Sequence, residues 1–173
     1  MSQSSRKSAW LTATPPNVAV EIASRRVTVV ELSQSGGGPF VSAYASEPLP
    51  ADAVTPSLVG TNVPAPDFVA QALGRAFDRA GIRSPRRAAL IVPDSVARVS
   101  LLTFEQVPAR SSDLDQLIKW QLRKATPFPI DEARIDHMLA HAERGATTFA
   151  TVVARPDVLA QYEAVTTAVG IHA

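Results

Sequence analysis

Residues Glu21-Ile-Ala-Ser-Arg-Arg26 set one carboxylate, one hydroxyl and two guanidinium groups at the bend between two β-branched runs. A tight strand turn with outward amides can hold a phosphate, and Ser24, Arg25 and Arg26 would add donors and positive charge. Glu21 could orient magnesium through water. The run contains no glycine, so side chains stand where a backbone would have to approach a phosphate closely. The same residues also describe a solvated hairpin turn with two surface arginines, and taken alone they favour that reading.

A second set is Trp120, Pro127 and Phe128. An aromatic pair beside a proline-stiffened segment can form a groove for an apolar peptide. The alternative is core packing beneath a helix end. No catalytic set stands out: the chain has no G-x-S-x-G, no glycine-rich phosphate loop and no His-carboxylate spacing. His137 and His141 are four apart, a metal spacing only on a helix. Their segment reads as a strand, where even spacing merely puts both on one face. Asp94-Ser95 reads as a local turn, and Asp113, Asp115, Asp131 and Glu132 as helix-start charges and solvated surface.

The composition narrows the classes further. The 173 residues suffice for one domain or two small lobes, and 46% hydrophobic content can fill a core. A net charge of +1 without a basic run does not suggest a nucleic-acid partner. The absence of cysteine rules out disulfides and thiolate metal sites, in keeping with a reducing cytoplasm. No apolar run approaches the roughly 20 residues of a membrane helix. Residues 1–16 are mostly polar, end in Pro15-Pro16, lack the apolar middle of a secretory signal and read as a disordered tail.

The elements that must position these residues follow from periodicity. Val18 to Ile22 and Val27 to Leu32 read as an antiparallel hairpin, with a third strand over Phe40 to Glu47 after a triple-glycine turn. The proline-rich stretch 48–66 reads as loop, with a short strand around Val54 to Val59. Asp67 is placed as the cap of a helix over Phe68 to Ala80, ended by Gly81. Strands follow over Ala88 to Val92 and Val96 to Phe104. Ser112-Asp-Leu-Asp115 has the form of a helix start, and Leu114, Leu117, Ile118, Leu122 and Ala125 give that helix its apolar face up to Pro127. Arg134 to His141 and Thr147 to Ala154 pair as strands. Pro156 then opens an amphipathic helix through Val158, Leu159, Tyr162, Val165 and Val169. The order β-β-β-α-β-β-α-β-β-α suggests two α/β lobes divided near Arg83 to Arg86.

With these elements in order, the chain from Val18 onward resembles the PilM family of type IV pilus assembly proteins. Ala19-Val-Glu-Ile-Ala-Ser-Arg-Arg-Val-Thr-Val-Val-Glu-Leu32 looks like the family's first phosphate motif, and Ala89-Leu-Ile-Val-Pro-Asp-Ser95 falls in family order. The most specific part is Trp120 to Phe128 followed by Ile135-Asp136; Val152-Val-Ala-Arg155, Tyr162 and Val169-Gly-Ile171 match the closing segment. The resemblance implies an α/β fold: an actin-like (ribonuclease H-like) first lobe, shared with FtsA, over residues 17–86. It also implies an inserted β-β-α-β-β-α subdomain over residues 87–173, with the second lobe outside this chain.

The resemblance also implies a cytoplasmic scaffold beneath the bacterial inner membrane. Its partner would be the N-terminal peptide of a PilN-like membrane protein, through which it reaches the pilus alignment complex and motor. The groove would lie between the first and inserted subdomains, with Trp120, Pro127 and Phe128 assigned to peptide contact or groove wall. ATP and magnesium are implied for the full-length family, at Glu21, Ser24, Arg25 and Arg26. Here, however, Glu21 stands in place of aspartate, Ala19 and Ala23 in place of glycine, and Thr28 where lysine is frequent. The added methylene moves the carboxylate by roughly 1.5 Å, so the loop reads as vestigial or partial. Two further readings are the actin-like part of a GspL-like type II secretion protein and a fragment of a sugar-kinase-like phosphotransferase.

Overall fold

Alternating apolar residues in Val18–Ile22 (β1) and Arg26–Ser35 (β2) turn one face of a hairpin inward, so that Val18, Val20, Ile22, Val27 and Val29 are all buried. We describe the protein from a computed structural model over residues 15–83, 85–143 and 145–172. The third strand, Gly38–Pro48 (β3), pairs antiparallel with β2, with a register irregularity between Glu31 and Leu32. Ala89–Ile91 (β4) lies parallel to β1 on its other side, giving the order β3-β2-β1-β4.

Two helices cover this sheet's core. Pro66–Ala80 (α1) buries Val69, Leu73, Ala76 and Phe77. Pro156–Ala168 (α3) adds Val158, Tyr162 and Val165 to the same apolar cluster. Asp67 does not cap α1: Ala65 occupies the cap without a side-chain bond, and Asp67 lies inside the first turn beside Pro66. There its charge opposes the helix dipole favourably instead. The ending at Gly81 is as expected, with φ of 67° in the left-handed region that favours glycine.

The second sheet is separate. Ala97–Phe104 (β5) and Arg134–Glu143 (β6) flank Ala146–Ala154 (β7) in the order β5-β7-β6, all antiparallel. One helix, Ser111–Leu122 (α2), lies on it, and Ile118 and Leu122 meet Phe128, Ile130 and Val153. Ser112 does not cap α2; Arg110 does so from an extended backbone, and its carbonyl accepts the amides of Asp113 and Leu114. The helix stops at Leu122, short of Ala125, because the chain tightens into a turn in which Ala125 N and Thr126 Oγ1 both donate to the Leu122 carbonyl.

The division of the chain also differs from the one expected near Arg83 to Arg86. β4 completes the first sheet, and α3 packs in the first core. The second unit is therefore β5-α2-β6-β7, inserted between β4 and α3. Hydrogen bonding decides this: a three-residue strand such as β4 is held by its parallel neighbour β1, whatever follows it in sequence.

The segment 49–65 forms no strand at Val54 to Val59; it is an irregular strap between the units. Its anchor is the fully buried Asn62, whose amide oxygen accepts from Ser57 N at 2.8 Å and from the Tyr162 hydroxyl at 3.2 Å. Gln161 of α3 accepts the amides of Asn62 and Val63 at 2.7 and 3.2 Å. Thus pinned, the strap sends Leu58 against the second core. The tail reading falls mainly on residues 1–14, which lie outside those described. Among the described residues, no helix is long and apolar enough to cross a membrane.

Candidate functional site

The turn after β1 is built from Ala23, Ser24 and Arg25. Part of its polar complement is engaged locally. Ala23 N donates to the Arg26 carbonyl at 2.9 Å, and the Arg25 carbonyl accepts Leu49 N at 2.8 Å. Glu21 pairs with Arg26 at 3.4 Å. The turn stands beside the end of β4, since Glu21 is in register with Ile91. Both arginines are exposed, while Ser24 is half-buried. These residues do not fit a loop that wraps a phosphate. There is no glycine for close approach, one amide bends back into the hairpin, and the carboxylate that would orient magnesium faces a guanidinium.

The structure separates the three residues of the aromatic set. Phe128 is buried in the second core, with the Arg155 guanidinium 5.7 Å from its ring centroid. It is a core residue and is not available as a groove contact. Pro127 is exposed. Trp120 is 63% exposed, and helical geometry sets it on the side of α2 opposite Ile118 and Leu122. Its indole therefore does not cover the core.

Ion pairs fasten this end of α2. Asp131, in the short helical turn Ile130–Glu132, takes Lys119 at 2.7 Å and Arg123 at 3.9 Å. The Lys119 hydrogen bond holds the Asp131 carboxyl below the usual carboxylate range. At the start of α3, Arg155 donates two bonds of 2.8 Å to Asp157, whose carboxyl is likewise held low. Arg155 thus joins the Phe128 ring to the first turn of α3, and the seam between the two units is fixed there and at Leu58.

The histidines do not cooperate. An irregularity in β6 between Leu139 and His141 breaks the even spacing. His137 meets Asp115 of α2 at 3.6 Å and lies tilted against the Phe149 ring, whereas His141 meets Glu143 at 2.8 Å. Among the described residues, no group of three or more potential ligands is placed to hold a metal ion.

Sequence reasoning missed a cleft of about 600 Å³ where β4, α3 and the start of β6 meet. Leu90, Val92 and Leu159 supply apolar lining, and Arg87, Arg134 and Glu163 supply charge. The isolated bridge between Arg87 and His172 closes one end of the β4 edge. Arg134 comes from the inserted unit and the other five from the first, so no local sequence pattern groups them. The only signal was the expectation of a site between subdomains.

A family model described as type IV pilus assembly protein PilM matches residues 19–173. Among solved structures, the chain is similar to one from a PilM-PilN type IV pilus biogenesis complex. The TM-score is 0.74 and the identity 19%, over 90% of this chain and 45% of that one. It is also similar to the cytoplasmic domain of EpsL, an inner membrane component of the type II secretion system of Vibrio cholerae. There the TM-score is 0.51 and the identity 11%, over 89% of this chain and 53% of that one. The chain thus spans about half the length of these two solved relatives. Identities this low speak to fold alone, and the fold is the mixed α/β, actin-like one expected from the sequence.

Proposed function

This chain belongs to the PilM family of type IV pilus assembly proteins, and from that premise we propose that it is a cytoplasmic scaffold in pilus assembly. Its partner is the N-terminal peptide of a PilN-like inner-membrane protein. The peptide lies in the cleft between the two units. The observation that carries this reading is the cleft itself: a concave surface to which both units contribute, with apolar lining and charges of both signs. The likeness to a chain from a PilM-PilN complex supports the choice of partner.

In this reading the peptide's apolar side chains cover Leu90, Val92 and Leu159, and its charged groups meet Arg87, Arg134 and Glu163. Trp120 and Pro127, both exposed, are assigned to flank the bound segment. Through the peptide the protein is held at the inner face of the membrane and coupled to the alignment complex and motor. The Glu21–Arg26 turn serves as a structural hairpin, so partner binding is indifferent to nucleotide.

Calorimetric titration with a synthetic PilN-like N-terminal peptide, with and without magnesium-ATP, tests this. The expected result is micromolar binding that nucleotide does not change. Leu159→Glu abolishes the binding, and Trp120→Ala weakens it without lowering thermal stability. If a chain extended to the relatives' full length folds and binds no peptide, the reading fails. Equal loss of binding and stability in Trp120→Ala would make that residue purely structural.

A further inference from the structure

The inner face of the β5-β7-β6 sheet is covered by α2, and its outer face is covered by nothing among the described residues. The pairing register lays out that outer face in rows. Val99, Val152 and Asp136 form one row, and Leu101, Ala150 and Met138 the next. Val99 is 71% exposed, Leu101 68% and Met138 56%. Arg134, Asp136 and Glu143 bring the charge, all on the β6 side, while the outward residues of β5 and β7 are uncharged. Ala150 is small and stands between Leu101 and Met138. It leaves a shallow depression of about 210 Å³, bordered by Val99, Met138 and Val152. Scattered single apolar residues are ordinary on a protein surface, but a contiguous apolar sheet face with a depression at its centre marks an interaction site.

The dimensions select the occupant. Three strands about 4.8 Å apart, with about 3.3 Å per residue over eight residues, offer a face of roughly 380 Å². A stable dimer interface takes about 800 Å² from each partner, so two such faces laid together fall short. A helix about 10 Å across and three to four turns long does match the face. The sheet itself provides the precedent, since its inner face is satisfied by the single 12-residue helix α2.

We propose that this outer face docks one amphipathic α-helix from a partner protein. The helix presents a stripe of aliphatic residues to Val99, Leu101 and Val152, and one large apolar side chain fills the depression over Ala150. A basic residue on one flank meets Asp136. This surface shares only Arg134 with the peptide cleft, and Arg134 takes no part in the docking, so the proposal stands or falls independently of the function proposed above.

The test uses the whole chain with isotope-labelled Val, Leu and Met methyl groups. The probe is a stapled 14-residue helix with leucines along one face and lysines and glutamines on the other; a scrambled sequence of the same composition is the control. Chemical-shift changes are expected at Val99, Leu101, Met138 and Val152, unaffected by saturating PilN-like peptide. Val99→Lys on β5 and Met138→Lys on β6 should each weaken the effect at least tenfold. Both positions are exposed, and circular dichroism verifies that the variants fold. The proposal is overturned by an equal response to the scrambled helix, by shifts centred on Trp120 or the cleft, or by none at millimolar probe. A concentration-dependent dimer dispersed by Val99→Lys would also overturn it, assigning the face to a second copy.

Discussion

The two sheets are built to different depths. The first has four strands, and two helices complete its core, so Val20, Val29, Leu73 and Tyr162 are all enclosed. The second has three strands under one helix, and Ile118, Leu122, Phe128, Ile130 and Val153 carry most of its burial. Its other face, around Leu101 and Met138, is open among the described residues. Apolar burial supplies most of the stability of a fold, so the first unit is the foundation and the second depends on its neighbour and on what it binds. That suits the scaffold proposed above, with one unit fixed and the other free to respond to a partner.

The largest expected effect tests this difference directly. Leu73 and Leu122 are both buried leucines, one in each core. Truncation to alanine should cost about 2–5 kcal/mol at either site. Leu73→Ala is expected to lower hydrogen-exchange protection in every strand, because the second unit loses its base. Leu122→Ala should open β5, β6 and β7 while β1, β2 and β3 keep their protection. Equal loss across both sheets in Leu122→Ala would mean that the units unfold together, and the comparison would dissolve.

A smaller effect concerns the joint between them. Asn62→Ala removes the acceptor for Ser57 N and for the Tyr162 hydroxyl, leaving both without their partner. The loss is expected to be about 1–3 kcal/mol, the usual range for stranded buried polar groups. It should release the strap, so that Leu58 no longer packs on the second core. Exchange protection of the Ser57 and Thr55 amides reads this out, together with broadening of the Leu58 methyl signals. Unchanged Leu58 signals would show that the second core holds the strap without help from α3.

How much of this could be read from the chain depended on whether the signal was local. Alternation in Val18–Ile22, helical spacing through Val69, Leu73 and Phe77, and Gly81 as the stop each depend on neighbours in sequence, and the elements were legible there. Capping was less so, because Asp67 and Ser112 have the right chemistry one or two positions inside helices that begin earlier. The unit boundary was hidden because β4 is assigned by its pairing with β1, some 70 residues away in sequence. Phe128 and Trp120, expected to share one role, are separated for a similar reason. Aromatic type says that a residue is worth burying, whereas the direction of the last turn of α2 decides which one is. The cleft was legible only as a place between subdomains, since Arg134 reaches it from the inserted unit and Leu159 from α3.

The last effect, confined to high pH, sharpens the comparison by reversing it. Tyr162 is enclosed in the first core, and burial pushes its hydroxyl from 10.0 up to about 12. A raised value means that the folded protein favours the neutral phenol. The corresponding stability is complete below about pH 10 and is lost as pH rises from 10 through 12. Two pH units correspond to about 2–3 kcal/mol. The loss falls on the foundation and leaves the inserted unit's own contacts intact. Denaturant titrations of the protein and of Tyr162→Phe should therefore differ by a constant amount between pH 7 and 9. The difference should shrink by pH 11, because phenylalanine has no proton to lose. A difference that stayed constant to pH 12 would mean that the ionised phenolate finds water without unfolding the first core, and that this core is looser around α3 than its burial indicates.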